Sequence, residues 1–242
     1  MIRKLILTIL FVVFSSVLNA ETKTYKMVFV PASEKGDESD YTTLIAITEK
    51  LTGLKIDTIK VTDYNAAVEA MRAGRAHIAW YGGKTYVKAA EIANAEAFAA
   101  GVRPGEKDAG YYTYFVVKND SPLKKFQDVK GKILSLNTIG STSGDLIPQV
   151  ELSKINLSIK NKDHFKNVFY AGSHDACLLA VLNNQSDVCG MSSRNFEARL
   201  EDGTFKKEDI RIIHKSDRVP PPPLAYSKMI PREDREKIKN AV

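Results

Sequence analysis

Three consecutive hydroxyl side chains, Ser141, Thr142 and Ser143, stand between Gly140 and Gly144. The short apolar run 132–136 before them reads as a buried strand, and 146–155 after them reads as a helix, so the hydroxyls fall where strand turns into helix. The first N–H groups of a helix lack intrahelical partners and sit at the positive end of its dipole, which suits an anion. Three hydroxyls add further donors there. A serine at this position also serves as an ordinary helix cap, and the turn alone leaves both readings open. His174 opens a later helix, where its ring either donates to an anion or merely caps; a protonated ring would add positive charge below its pKa. Tyr41, Tyr81 and Tyr86 are candidates for hydroxyl donors and an aromatic wall, although aromatics near strand ends more often belong to the core, and Trp80 is assigned to core packing. Arg194, after Met191-Ser192-Ser193, is within reach of the same region, although a solvated guanidinium is the commoner outcome.

Other chemistries fit less well. The run 140–144 raises the G-x-S-x-G elbow of serine hydrolases, but there an acid and then a histidine follow in chain order, and His174 comes too soon for the usual intervening strands. Neither a Walker-type phosphate loop nor H-E-x-x-H occurs, and the histidines lack metal-ligand spacing. No catalysis, metal or cofactor is expected.

The elements that would position these residues alternate. Runs 25–30, 55–61, 77–81 and 96–102 read as strands, separated by helices at 41–51, 65–73 and 85–95. A polar loop spans 103–110. The rhythm then restarts with strands at 111–117, 132–136, 167–170, 187–191 and 210–214 around helices at 123–129, 146–155 and 174–183. This is βαβ patterning, which implies largely parallel sheets covered on both faces. Four prolines, 220–223, forbid a helix and favour extended chain that returns to the first lobe. The expected division is residues 21–114 plus 215–242 for one lobe and 115–214 for the other. Ligands of open α/β sheets bind beyond the carboxyl ends of the strands, so the turns at Tyr81, Ser141 and His174 converge on one crevice between lobes.

Residues 1–20 carry Arg3 and Lys4, an apolar run, and Ala20 before Glu21, the pattern of a cleaved secretory signal. About 222 residues follow, enough for two small lobes. Without Arg3 and Lys4, 33 basic residues stand against 29 acidic ones, well interspersed. No nucleic-acid or membrane footprint is indicated, and a mild positive balance suits an anionic ligand. Cys177 and Cys189 are the only cysteines. In an oxidising compartment they could pair, but two buried, unpaired cysteines are the favoured expectation.

The pieces Thr62-Asp63-Tyr64, Ala70-Met71-Arg72-Ala73-Gly74-Arg75, Ile78-Ala79-Trp80-Tyr81-Gly82, Ser141-Thr142-Ser143-Gly144, Ala171-Gly172-Ser173-His174-Asp175-Ala176 and Ser193-Arg194 keep an order and spacing that resemble the periplasmic phosphonate/phosphate/phosphite-binding proteins of ABC transporters. The resemblance implies a two-lobed type II periplasmic-binding fold with the ligand cleft between the lobes. It implies that Ser141, Thr142 and Ser143 hold phosphoryl oxygens, that Tyr81 and His174 donate from other turns, and that Tyr41 belongs to the ligand wall. It also implies a monomer in the periplasm that serves a membrane permease, or, on the same fold, a sensor kinase. Two departures concern selectivity. Pro222 stands where relatives often carry an aspartate, and Arg194 where aminoalkylphosphonate binders place a glutamate. Phosphate, phosphite or methylphosphonate is therefore expected to bind at least as well as 2-aminoethylphosphonate. The family's C-terminal helices normally pack on the first lobe, and Val242 comes earlier than the resemblance implies, which leaves either a truncated sequence or a naturally trimmed member as the expectation.

Overall fold

The computed structural model describes residues 22–32, 37–103, 105, 107 and 109–242; the secretory signal expected over 1–20 lies outside the described residues. Two five-stranded sheets organise the chain. The first contains β1 (Thr24–Phe29), β2 (Lys55–Ile59), β3 (Ile78–Trp80), β4 (Ala95–Ala100) and β10 (Pro223–Ser227), in the order β2-β1-β3-β10-β4. The second contains β5 (Thr113–Lys118), β6 (Ile133–Leu136), β7 (Asn167–Tyr170), β8 (Val188–Ser192) and β9 (Ile210–Lys215), in the order β7-β6-β8-β5-β9. In each sheet four strands point one way and one is reversed: β10 in the first, β5 in the second. Each reversed strand is the one that enters directly from the other lobe. The sheets are therefore mixed but mostly parallel.

Strand alternation sends successive side chains to opposite faces, and both faces are covered. Along β1, Tyr25, Met27 and Phe29 pack with side chains of α1 (Asp37–Thr52) and α7 (Arg232–Ala241). Val28 packs with Ala67, Val68 and Met71 of α2 (Tyr64–Arg72) and Ala89 of α3 (Gly83–Ile92). In the second lobe, Phe115 and Val117 meet Leu152 of α4 (Ile147–Lys154), whereas Val116 meets Leu178 of α5 (His174–Leu182) and Phe196 of α6 (Ser193–Glu201). Each fully buried aliphatic or aromatic side chain of this kind stabilises the lobe by about 1.5–3 kcal/mol.

Sheet membership places Thr113 and Tyr114 in β5, two residues before the expected start of the second lobe. The two crossings touch: Tyr111 and Val219 form an isolated antiparallel bridge with N···O distances of 3.1 and 2.7 Å. The proline run is extended, and Pro223 already begins β10. The helix expected at 146 starts earlier, because a π-type turn, Thr142–Leu146, runs straight into α4.

The cysteines depart from the favoured expectation. Cys177 on α5 and Cys189 on β8 form a disulfide, with Cα atoms 5.7 Å apart. The βαβ crossover lays α5 on β8, which brings the two residues within bridging distance. Sequence spacing shows neither which face of α5 is turned to the sheet nor the height at which it crosses.

Candidate functional site

The turn after β6 is built around Ser141. Its backbone is extended, its Oγ accepts from the N–H of Gly144 at 3.0 Å, and the Asn137 amide donates to the same oxygen at 3.3 Å. Ser141 is therefore the helix cap, and it keeps its own hydroxyl hydrogen for a further acceptor. Gly144 has no substitute here, since a Cβ would lie 2.3 Å from Cβ of Asn137 and 2.8 Å from Cε1 of His174. The close approach brings His174 against the turn. Ser143 Oγ lies 3.5 Å from His174 Nε2, and Ser143 O accepts from the Thr113 hydroxyl at 3.0 Å. Ser141, Thr142 and Ser143 are all buried.

His174 is fixed by three contacts. Ser173 caps α5 by accepting from the N–H of Ala176, the N–H of His174 donates to the carbonyl of Ala32 in the other lobe, and the N–H of Ser192 donates to Nδ1. An acceptor at Nδ1 leaves the hydrogen on Nε2, and burial pushes the ring pKa down to about 3. The ring is thus a neutral donor, and the added positive charge contemplated from sequence is not available near neutral pH. It is not a base for Ser143 either, because its only acceptor nitrogen is engaged by Ser192. The central position of the 140–144 run is a threonine whose oxygen accepts from the N–H of Lys84, so the serine-hydrolase arrangement is not assembled.

The opposite wall comes from the first lobe. The rings of Tyr41 and Trp80 lie 5.9 Å apart, and Tyr41 also packs on Phe29 at 5.0 Å. With Tyr64 and Val30 they face the hydroxyl turn across a cavity of ≈ 240 Å³. The lobes meet around it. Thr142 Oγ1 accepts from the N–H of Lys84 at 2.9 Å, and Lys84 Nζ pairs with Asp145 at 2.7 Å. Burial opposes ionisation of Asp145, but bonds from Lys84, the Tyr170 hydroxyl and the N–H of Gly140 outweigh it and hold the carboxyl below its ordinary range. Arg103, from the first crossing, pairs with Glu197 of α6 at 2.6 Å. The two lobes are therefore in contact at the edge of the cavity.

Of the residues singled out from sequence, Tyr41, Ser141, Thr142, Ser143, His174 and Arg194 line this one cavity. Tyr81 does not. Its ring is fully buried beneath α2, its hydroxyl 3.3 Å from the carbonyl of Ala67, because β3 ends at Trp80 and alternation turns the next side chain into the lobe. The same alternation sends Trp80, expected in the core, to the cleft wall. The Tyr86 hydroxyl accepts from the N–H of Ala97, away from the cavity. Tyr64, Tyr111 and Ser192 were not anticipated. Tyr111 sits on the first crossing with its hydroxyl against Ser143 and Thr142, and burial raises its pKa. The tyrosine pair before Thr113 was the available signal, but it reads equally well as strand. Among the described residues no group of three metal-ligating side chains gathers, and no helix is long and apolar enough to cross a membrane.

Residues 27–242 match the family model described as "ABC transporter, phosphonate, periplasmic substrate-binding protein". The chain is 30% identical over 212 residues to a phosphonates-binding periplasmic protein of Escherichia coli (strain K12), covering 85% of this chain and 61% of that one. It therefore spans under two thirds of that relative's length. It is 26% identical to the phosphate-import protein PhnD of Mycolicibacterium smegmatis, covering 90% of this chain and 70% of that protein. In structure it is similar to a binding protein component of an ABC phosphonate transporter from Pseudomonas aeruginosa, with a TM-score of 0.82, 24% identity, and coverage of 91% of this chain and 74% of that one. The fold is the two-lobed type II periplasmic-binding fold.

Proposed function

Since the chain belongs to the family of phosphonate-type periplasmic substrate-binding proteins of ABC transporters, we propose that it is the solute-binding component of an importer, closing its lobes over one small phosphorus oxyanion and delivering it to a membrane permease. The ligand is a phosphonate, phosphate or phosphite, and the protein works in the periplasm as a non-catalytic monomer. The observation that carries this reading is the convergence of three buried hydroxyl residues and a neutral His174 that donates through Nε2–H on one interlobe cavity. Such donors, fixed in place beforehand, bind an oxyanion without a proton transfer. Signalling to a membrane histidine kinase, the alternative on the same fold, draws no support from the relatives named above and is set aside.

A thermal-shift panel of phosphate, phosphite, methylphosphonate and 2-aminoethylphosphonate tests the reading. A ligand at one hundred times its Kd stabilises the native state by about 2.7 kcal/mol, which for a protein of this size raises Tm by roughly 5–10 °C. At least one compact oxyanion is expected to do so. No shift with any of the four overturns the proposal.

A further inference from the structure

One end of the cavity is formed by arginines. Arg103, Arg194 and Arg199 line it, and among the described residues no aspartate or glutamate does. Two of the three are neutralised from outside: Arg103 by Glu197 and Glu201, Arg199 by Asp175 and Asp202. Arg194 is not. Its Nη2 donates to the carbonyl oxygens of Gly101 and Ala109, its Nε is buried without a partner, and no described carboxylate pairs with it. A guanidinium held this way keeps a full positive charge in a partly dry cleft, which is unfavourable until an anion arrives.

The Tyr111 hydroxyl lies against Ser143 and Thr142, while the Arg194 guanidinium stands 5.6 Å from the centre of its ring. Tyr111 thus stands between the hydroxyl cradle and the Arg194 guanidinium and neighbours both.

We propose that the preferred ligand carries a second negative group on a short arm, such as a carboxylate two or three bonds from phosphorus, and that Arg194 is the residue that selects it. The inference rests on the cradle binding the phosphorus head, as proposed above. A distal carboxylate gains a charge-assisted bond to Arg194, worth about tenfold in affinity or more, whereas an ammonium at the same place meets like charge.

The test is calorimetry on the purified protein with 3-phosphonopropionate, propylphosphonate, 2-aminoethylphosphonate and methylphosphonate, repeated on Arg194→Gln. The carboxylate compound is expected to bind at least tenfold more tightly than propylphosphonate, its near-isostere, and the ratio is expected to fall toward one in the variant. A ratio near one in the unaltered protein overturns the inference while leaving the oxyanion reading intact, and needs no variant to be seen. A ratio that persists in Arg194→Gln overturns the role of Arg194. No binding by any compound, methylphosphonate included, overturns the oxyanion reading and this inference with it.

Discussion

The backbone N–H of Ser192 donates to Nδ1 of His174 at 3.2 Å, so the protein itself holds the imidazole in one tautomer, with Nε2–H toward Ser143 and the cleft. A second proton would have to displace that bond and charge a buried ring. Burial keeps the pKa near 3. The His174→Gln variant is therefore expected to lose affinity by about tenfold, and the ratio to the unaltered protein should be the same at about pH 5.5 and about pH 8. Calorimetry at both values checks this. A loss that grows toward acid would show that the ring binds as a cation.

The same burial shapes stability. His174 has its pKa lowered from 6.5 to about 3, so the unfolded chain takes up the proton first as pH falls. Its contribution is complete above 6.5 and is lost progressively toward 3. At about 1.4 kcal/mol per unit, a few kcal/mol are at stake by about pH 4. Denaturant titrations across this range should show a shallower acid limb for His174→Gln than for the unaltered protein. Asp145, also held low, adds acid sensitivity to both and cancels in the comparison.

The three hydroxyls should separate by role. Ser143→Ala removes a donor with no backbone duty and is expected to cost about tenfold in affinity with little change in Tm. Ser141→Ala also uncaps the turn, so about 1 kcal/mol of stability should go with the affinity. Thr142→Ala leaves the N–H of Lys84 without its acceptor across the lobes. It should weaken closure as well as binding. Equal affinity in all three variants would remove the cradle from the site.

How much of this could be read from the chain depends on what a local pattern encodes. The hydroxyl turn and His174 were legible because small residues and a helix start announce themselves over four or five positions. The two-lobed plan was legible because β10 and β5 are flanked by βαβ runs that restart. Tyr81 and Trp80 were exchanged because one residue of phase at the end of β3 decides which of them faces the cleft. Tyr111 was missed because a residue on a crossing owes its position to the antiparallel bridge with Val219, 108 residues away. The Cys177–Cys189 bond was disfavoured for a related reason, since it depends on how α5 lies over β8.

That disulfide supports the lobe that carries the cradle. It closes a loop of 12 residues, for which chain entropy gives roughly 3 kcal/mol. The double variant Cys177→Ala, Cys189→Ala should melt roughly 6–12 °C lower and still bind its ligand. Mass spectrometry of the intact, unreduced protein should show the loss of two hydrogens. A variant that melts at the original temperature would mean the bond contributes nothing to native stability.

The last prediction concerns closure. Lys84 and Asp145 join the lobes directly, but their environments differ: the Asp145 side chain is 2% exposed and holds further bonds from Tyr170, Gln149 and the N–H of Gly140, whereas Lys84 is 36% exposed. Removing the carboxylate would strip those donors and damage the second lobe itself, so Asp145→Ala confounds folding with closure. Removing the ammonium leaves Asp145 with three other donors. Lys84→Met should therefore leave the ligand-free Tm almost unchanged while reducing affinity, by about threefold to fivefold, the range of a partly exposed ion pair. The loss should appear in the dissociation rate, since the pair forms only when the lobes meet, and it should shrink in high salt as the original pair is screened. Stopped-flow release of methylphosphonate at low and high ionic strength measures both. If Lys84→Met releases ligand at the rate of the unaltered protein, closure is held by the cradle and the backbone bond from His174 to Ala32, and the ion pair is incidental.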